Sequence, residues 1–172
     1  KTTHERYAEV FNKLGFTVDL SKPTFPKSRK LTSKLTEVLG DKTSKWIGIA
    51  PFAAHKSKMY PLDLMHEVIE TLSQNHKIIL FGGGKAEIGV LNTMESRFEN
   101  CISMAGKLTL NEELDVISNL DAMLSMDSGN AHIAAMLGVK TVTIWGVTHP
   151  FAGFAPFNQP EDFALTVDRN QY

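Results

Sequence analysis

Six consecutive residues hold the densest set of groups able to do chemistry: Asp127, Ser128, Gly129, Asn130, Ala131 and His132. The apolar segment 122–126 precedes them and reads as a buried strand. Ala131, Ile133, Ala134, Ala135, Met136 and Leu137 follow, then Gly138, and read as a short buried helix closed by glycine. Ser128 suits the N-cap, and Gly129 lets a ligand approach the backbone. Amides after such a cap lack partners and lie at the positive end of the helix dipole, so the turn is a potential phosphate cradle. An ordinary capped turn fits the same spacing equally well.

Three other turns carry candidate groups. Residues 51–61 read Pro-Phe-Ala-Ala-His-Lys-Ser-Lys-Met-Tyr-Pro, with His55, Lys56 and Lys58 as basic or potentially basic members. A lysine facing a helix N-terminus gives a diphosphate one point charge and several amides; a solvated basic loop is the plain alternative. Gly82, Gly83 and Gly84 allow close backbone approach, and Glu87 can accept ribose hydroxyls or simply favour the first turn of a helix. In the fourth turn, Gly146 leaves room for a ligand and Thr148 can donate a hydrogen bond, while Trp145 reads as core. Asp127 would repel phosphate, so it reads as orienting amides or meeting a sugar hydroxyl. His132 is within reach of a phosphate, or is a packed structural histidine.

These turns need elements to position them. Strands are expected at 46–50, 77–81, 101–104, 122–126, 141–145 and 163–167. Helices are expected between them: after Pro61 through Leu62, Met65, Val68, Ile69 and Leu72, then through Ile88, Leu91, Met94 and Phe98, and then from the capping box Thr109–Glu112. The strands are apolar throughout rather than alternating, which indicates a parallel sheet covered on both faces. The fold class expected is α/β, a doubly wound parallel sheet of about six strands. With strand order 3-2-1-4-5-6, the topological switch falls between the strands at 46–50 and 122–126, and the loops 51–60 and 127–132 face one crevice.

Ahead of this unit, Thr2–Glu5 has capping-box spacing, and Tyr7, Val10, Phe11 and Leu14 recur at helical spacing before Gly15. Residues 19–30 hold Pro23 and Pro26 and read as a linker; Leu31, Leu35, Val38 and Leu39 mark a second helix ending at Gly40. A chain opening on an amphipathic helix is expected to have a segment upstream or to pack that helix on a partner.

Composition narrows the classes. The 172 residues are 42% hydrophobic, enough for one full core. The formal net charge is −1, so no overall field favours nucleic acid or an anionic membrane. No apolar run reaches the ~20 residues of a spanning helix, and no signal peptide is visible at the start. The single cysteine, Cys101, excludes an internal disulfide and reads as a buried bystander. No Cys/His spacing resembles a metal site, and no carboxylate cluster suits a divalent cation. The glycine fingerprint of hydride-transferring dinucleotide enzymes is missing after the first strand, where Ala50-Pro51-Phe52-Ala53-Ala54 stands. GxxxxGK[ST] and GxSxG are missing too. A receiver module would need acidic residues after Ala50, which Pro51 and Phe52 do not supply.

In combination these pieces resemble a known family. Ala50-Pro51 with Lys58-Met59-Tyr60-Pro61, Phe81-Gly82-Gly83 with Glu87, Ala105-Gly106-Lys107-Leu108-Thr109-Leu110, Asp127-Ser128-Gly129-x-x-His132-x-Ala134 and Gly146-x-Thr148 look like glycosyltransferase family 9, the heptosyltransferases of lipopolysaccharide assembly. The resemblance covers nearly the whole chain, and the DSGxxH stretch after AGKxTL is its most specific part. It implies the GT-B architecture, two Rossmann-like domains with the active site in their cleft. This chain matches the second, C-terminal domain, with residues 1–44 as interdomain helix and linker and 45–172 as the donor-binding domain.

The resemblance further implies a nucleotide-diphospho-heptose donor, ADP-heptose-like, and a lipopolysaccharide core acceptor reached through the other domain, with no cofactor, metal or nucleic acid. Lys58 would contact the diphosphate, Glu87 the ribose, and Asp127, Ser128 and Gly129 the phosphates or the transferred sugar; His132 belongs to the motif, and Thr148 to the donor side. Ala53, Ala54, Gly83 and Gly146 complete the donor loops. The catalytic base is expected in the first domain, so none is assigned here. The full protein is expected in the cytoplasm, peripheral at the inner membrane. Relatives place threonines where this chain has Ala53 and Ala54, and proline where it has Asn130 and Val147, so another donor or base is an open alternative. A non-catalytic nucleotide-binding module is the competing class.

Overall fold

The computed structural model describes residues 1–167. Six parallel strands form one sheet in the order β3-β2-β1-β4-β5-β6. They are β1 (Trp46–Ala50), β2 (Lys77–Leu80), β3 (Cys101–Ser103), β4 (Ala122–Met126), β5 (Lys140–Ile144) and β6 (Ala164–Leu165). This is the common doubly wound order on which the sequence reading conditions its crevice. β6 is only two residues long, shorter than the 163–167 run suggests, because Glu161–Phe163 forms a 3-10 turn first.

Four helices follow the strands: α3 (Leu62–Ser73), α4 (Lys85–Arg97), α5 (Leu110–Ile117) and α6 (Gly129–Met136); α1 (Thr3–Lys13) and α2 (Ser33–Leu39) precede β1. Both capping boxes form, Thr2 with Glu5 and Thr109 with Glu112. Pro61 is the N-cap of α3 rather than its first helical residue.

The period-2 alternation of β2 divides the core. Ile78 and Leu80 pack with Met65 and Ile69 of α3 and Leu91 and Met94 of α4. Ile79 faces the other side, with Leu35 and Leu39 of α2, Val116 and Ile117 of α5 and Ala134 of α6. Every one of these side chains is at most 1% exposed. Covering both faces is what makes the strands uniformly apolar. Truncating one of these isoleucines or leucines to alanine would cost about 2–5 kcal/mol. Trp145 is buried with its indole N–H donating to Thr143 Oγ1 at 2.8 Å, as a core residue should be. Cys101 is buried, and desolvation, with the Glu95 charge second, pushes its thiol up to about 12.

The register places the functional turns. β1 pairs β4 with Ala50 opposite Ser125, and β4 pairs β5 with Met126 opposite Ile144. The loops after these three central strands therefore emerge side by side at the carboxyl edge.

Candidate functional site

The β1 loop forms a 3-10 turn at Lys56–Lys58. It aims Lys58 across the switch point, where its ammonium lies 2.8 Å from Asp127 Oδ2. Thr148 Oγ1, from the loop after β5, donates to the same oxygen at 2.7 Å. Three loops thus converge on one carboxylate. Asp127 is nearly desolvated, its side chain 8% exposed, and Lys58 is 25% exposed. The sequence suggests that Asp127 orients amides or meets a sugar hydroxyl; in the structure it anchors a lysine and a threonine.

Ser128 occupies the N-cap position of α6 with extended backbone, but no side chain caps the helix. Its hydroxyl instead lies 3.0 Å from Ser125 Oγ, whose own position under the turn diverts it. The first-turn amides of α6 are left without a side-chain acceptor, which an anion can supply. A Cβ at Gly129 would meet nothing within 4 Å, so the approach to these amides is open.

A cavity of about 350 Å³ lies beside them. Ala53, Ala54, Gly83, Glu87, Ser128 and Gly129 all line it, which brings together six of the residues singled out from the sequence. Phe52, Phe81 and Ile133 give it apolar walls. Glu87 Oε2 accepts from the Gly83 amide at 2.8 Å, so its carboxylate closes its own glycine turn while facing the cavity.

Two expectations take a different form. The space beside Gly146 is not left for a ligand: a Cβ there would stand 2.3 Å from the Ser57 carbonyl oxygen and 3.1 Å from Lys58 Cα. The glycine is needed because the β1 loop packs onto it, with Val147 N donating to Ser57 O at 3.2 Å. Gly146 therefore positions Lys58. His132 is absent from the cavity wall; it lies toward α1, where burial first and the His132 charge second lower the pKa of His4. The sequence reading passes over Glu113, which lines the cavity from α5. Its only signal is its place one residue after the capping-box glutamate.

The fold is that of one half of a GT-B glycosyltransferase. The chain belongs to glycosyltransferase family 9 (heptosyltransferase), whose family model matches residues 3–169. It is 34% identical over 127 residues to lipooligosaccharide heptosyltransferase 2 of Haemophilus influenzae, covering 70% of this chain and 36% of that protein. It is 29% identical over 157 residues to lipooligosaccharide heptosyltransferase 2 of Campylobacter jejuni, covering 86% and 50%. Among solved structures, the family 9 glycosyltransferase from Veillonella parvula superposes with a TM-score of 0.77 at 19% identity, over 97% of this chain and 49% of that one. E. coli heptosyltransferase WaaC with ADP gives 0.70 at 19% identity, over 94% and 48%. The chain spans half or less of the length of these relatives. No helix among the described residues is long and apolar enough to cross a membrane.

Proposed function

We propose that this chain is the donor-binding half of an inverting glycosyltransferase, one that moves a heptose from a nucleotide-diphospho-heptose to the lipopolysaccharide inner core. The observation that carries this reading is the convergence of Lys58, the uncapped start of α6 and the neighbouring cavity at one sheet edge. Its support is the description of the relatives: heptosyltransferases, one of them holding ADP.

The chemistry follows from charge. As the sugar–phosphate bond breaks, negative charge grows on the departing diphosphate. Helix amides and an ammonium fixed beforehand stabilise that charge more than the ground state. Asp127 and Thr148 hold the ammonium in place. Asp127 also damps the charge of Lys58, so the lysine must turn part of its bonding to the incoming phosphate. The carboxylate itself repels phosphate, which directs the diphosphate toward the α6 amides. Glu87 is the group for the ribose.

Inversion also needs a base to take the acceptor proton. The family resemblance implies a base in the other domain, so the chain alone is expected to bind donor and transfer nothing. The protein would then work in the cytoplasm against the inner membrane. The test is calorimetric titration with ADP, GDP, UDP and CDP, alongside a transfer assay with ADP-heptose. Binding of none of the nucleotides would overturn the donor-site reading, and turnover by the chain alone would overturn the division of labour. One observation favours a second reading, a different nucleotide-sugar donor: Ala53 and Ala54 line the cavity with methyl groups where the family resemblance implies threonine hydroxyls.

A further inference from the structure

Glu113 is a cavity-lining carboxylate that the chemistry above leaves unused. Its neighbour Glu112 is fully engaged: it accepts from the Thr109 amide at 2.8 Å and pairs with Lys34 at 2.9 Å. Glu113 is half-buried, and its carboxylate has no hydrogen-bond or ion-pair partner among the described residues. Burial alone pushes its carboxyl above the usual range. A carboxylate drawn partly out of water without a donor is unfavourable, and a ligand N–H relieves it.

Its place in the fold says which part of a ligand would supply that donor. The phosphate end of the cavity is set by Ser128 and Gly129 at α6, next to the central strands β1 and β4. Glu87 follows β2, one strand further out, and α5 follows β3, the next strand beyond. A nucleotide with its diphosphate at α6 and its ribose at Glu87 therefore extends its base toward α5. Phe52 and Ile133, the partly exposed apolar residues of the wall, give that flat ring its contact.

We propose that Glu113 selects the donor's base, accepting a hydrogen bond from an exocyclic amino group on the ring edge. This rests on the donor-site reading above. An ionised carboxylate only accepts. Adenine presents its N6 amino group, and guanine an amino group beside a ring N–H. Uracil presents one N–H flanked by two carbonyl oxygens, which a carboxylate repels. The donor class is thus an amino-base nucleoside diphosphate sugar, and uridine donors are excluded.

The test is calorimetry of the chain with ADP, with UDP and with purine-riboside diphosphate, which is ADP without its amino group. Wild type should bind ADP at least about tenfold more tightly than either of the others. Glu113→Leu, of similar volume, should bring the three within about threefold, and Glu113→Gln, which keeps a neutral acceptor, should fall between. Lys58→Ala should weaken all three and preserve their ratio. Thermal melts of Glu113→Leu and Glu113→Gln check that both fold. A wild-type preference that survives in Glu113→Leu, or UDP bound as tightly as ADP by wild type, overturns the role of Glu113 and leaves the donor site standing. Failure of wild type to bind any of the three overturns both.

Discussion

Replacing Lys58 by methionine removes the ammonium and keeps most of the side-chain stem. Asp127 then loses a partner at 2.8 Å and, among the described residues, retains only the Thr148 hydroxyl. Stripping a partner from a fully buried ion pair costs about 3–5 kcal/mol, and from an exposed pair about 0–1 kcal/mol. Asp127 resembles the first case at 8% exposure and Lys58 is intermediate at 25%. An intermediate loss of about 1–2 kcal/mol is expected, a fall in Tm of roughly 2–8 °C for a chain of this size. Binding should suffer separately. Hydrogen bonds to charged groups contribute about 1.5–3 kcal/mol, so ADP affinity should drop about 10- to 100-fold. Asp127→Asn perturbs the same pair from the other side. It frees Lys58 from its counter-ion, so ADP and inorganic pyrophosphate should bind a few-fold more tightly than to wild type. Calorimetry and thermal melts on the two variants read both effects. Lys58→Met binding ADP within threefold of wild type, or Asp127→Asn binding more weakly than Lys58→Met, would refute the electrostatic reasoning.

Gly146→Ala should act at a distance on the same lysine. Its methyl group would overlap the Ser57 carbonyl, so the β1 loop must shift, with a loss of about 1–3 kcal/mol and weaker ADP binding; an unchanged melting temperature would contradict this. Thr109→Ala removes the α5 capping box and should destabilise by about 1 kcal/mol in thermal melts. Glu112→Gln should flatten the acid limb of stability. The Thr109 amide first, then Lys34 and the Thr109 hydroxyl, hold the Glu112 carboxyl at about 2 against an ordinary 4.5. A depressed folded value means that the unfolded chain binds more protons in this window. The stabilisation is therefore complete above about pH 4.5 and lost as pH falls toward 2. Cys101, with its thiol pushed up to about 12 inside the core, should resist an aromatic disulfide reagent at pH 8 and react fully in denaturant. Rapid labelling of the folded chain would show that β3 opens.

The strands were legible because a parallel sheet leaves few choices: Ile78, Ile79 and Leu80 are consecutive apolar residues that only a two-faced core accommodates. Strand order is the common one for a doubly wound sheet, and it brings the loops after β1 and β4 together. Local chemistry also read correctly where partners are three residues apart, as at Thr109 and Glu112. Side-chain direction was not legible. Lys58 and Asp127 are 69 residues apart, and spacing cannot say that the ammonium turns toward a carboxylate before any phosphate arrives. Ser128 looked like a cap because serine usually is one, yet Ser125 competes for its hydroxyl from the strand below. Gly146 looked like ligand space because a glycine's lack of a side chain does not reveal which backbone fills the gap. Each of these misses moves the chemistry in one direction. The lysine is pre-paired, the helix start is left open, and the loop bearing the lysine is locked onto β5's turn. Such a site fixes its cation through protein contacts, and no side chain caps the α6 amides, the groups best placed to donate to an anion. In the donor site proposed above the ion pair would serve as a placeholder, and selectivity for diphosphate over a single phosphate should come from needing both the amides and the displaced ammonium at once.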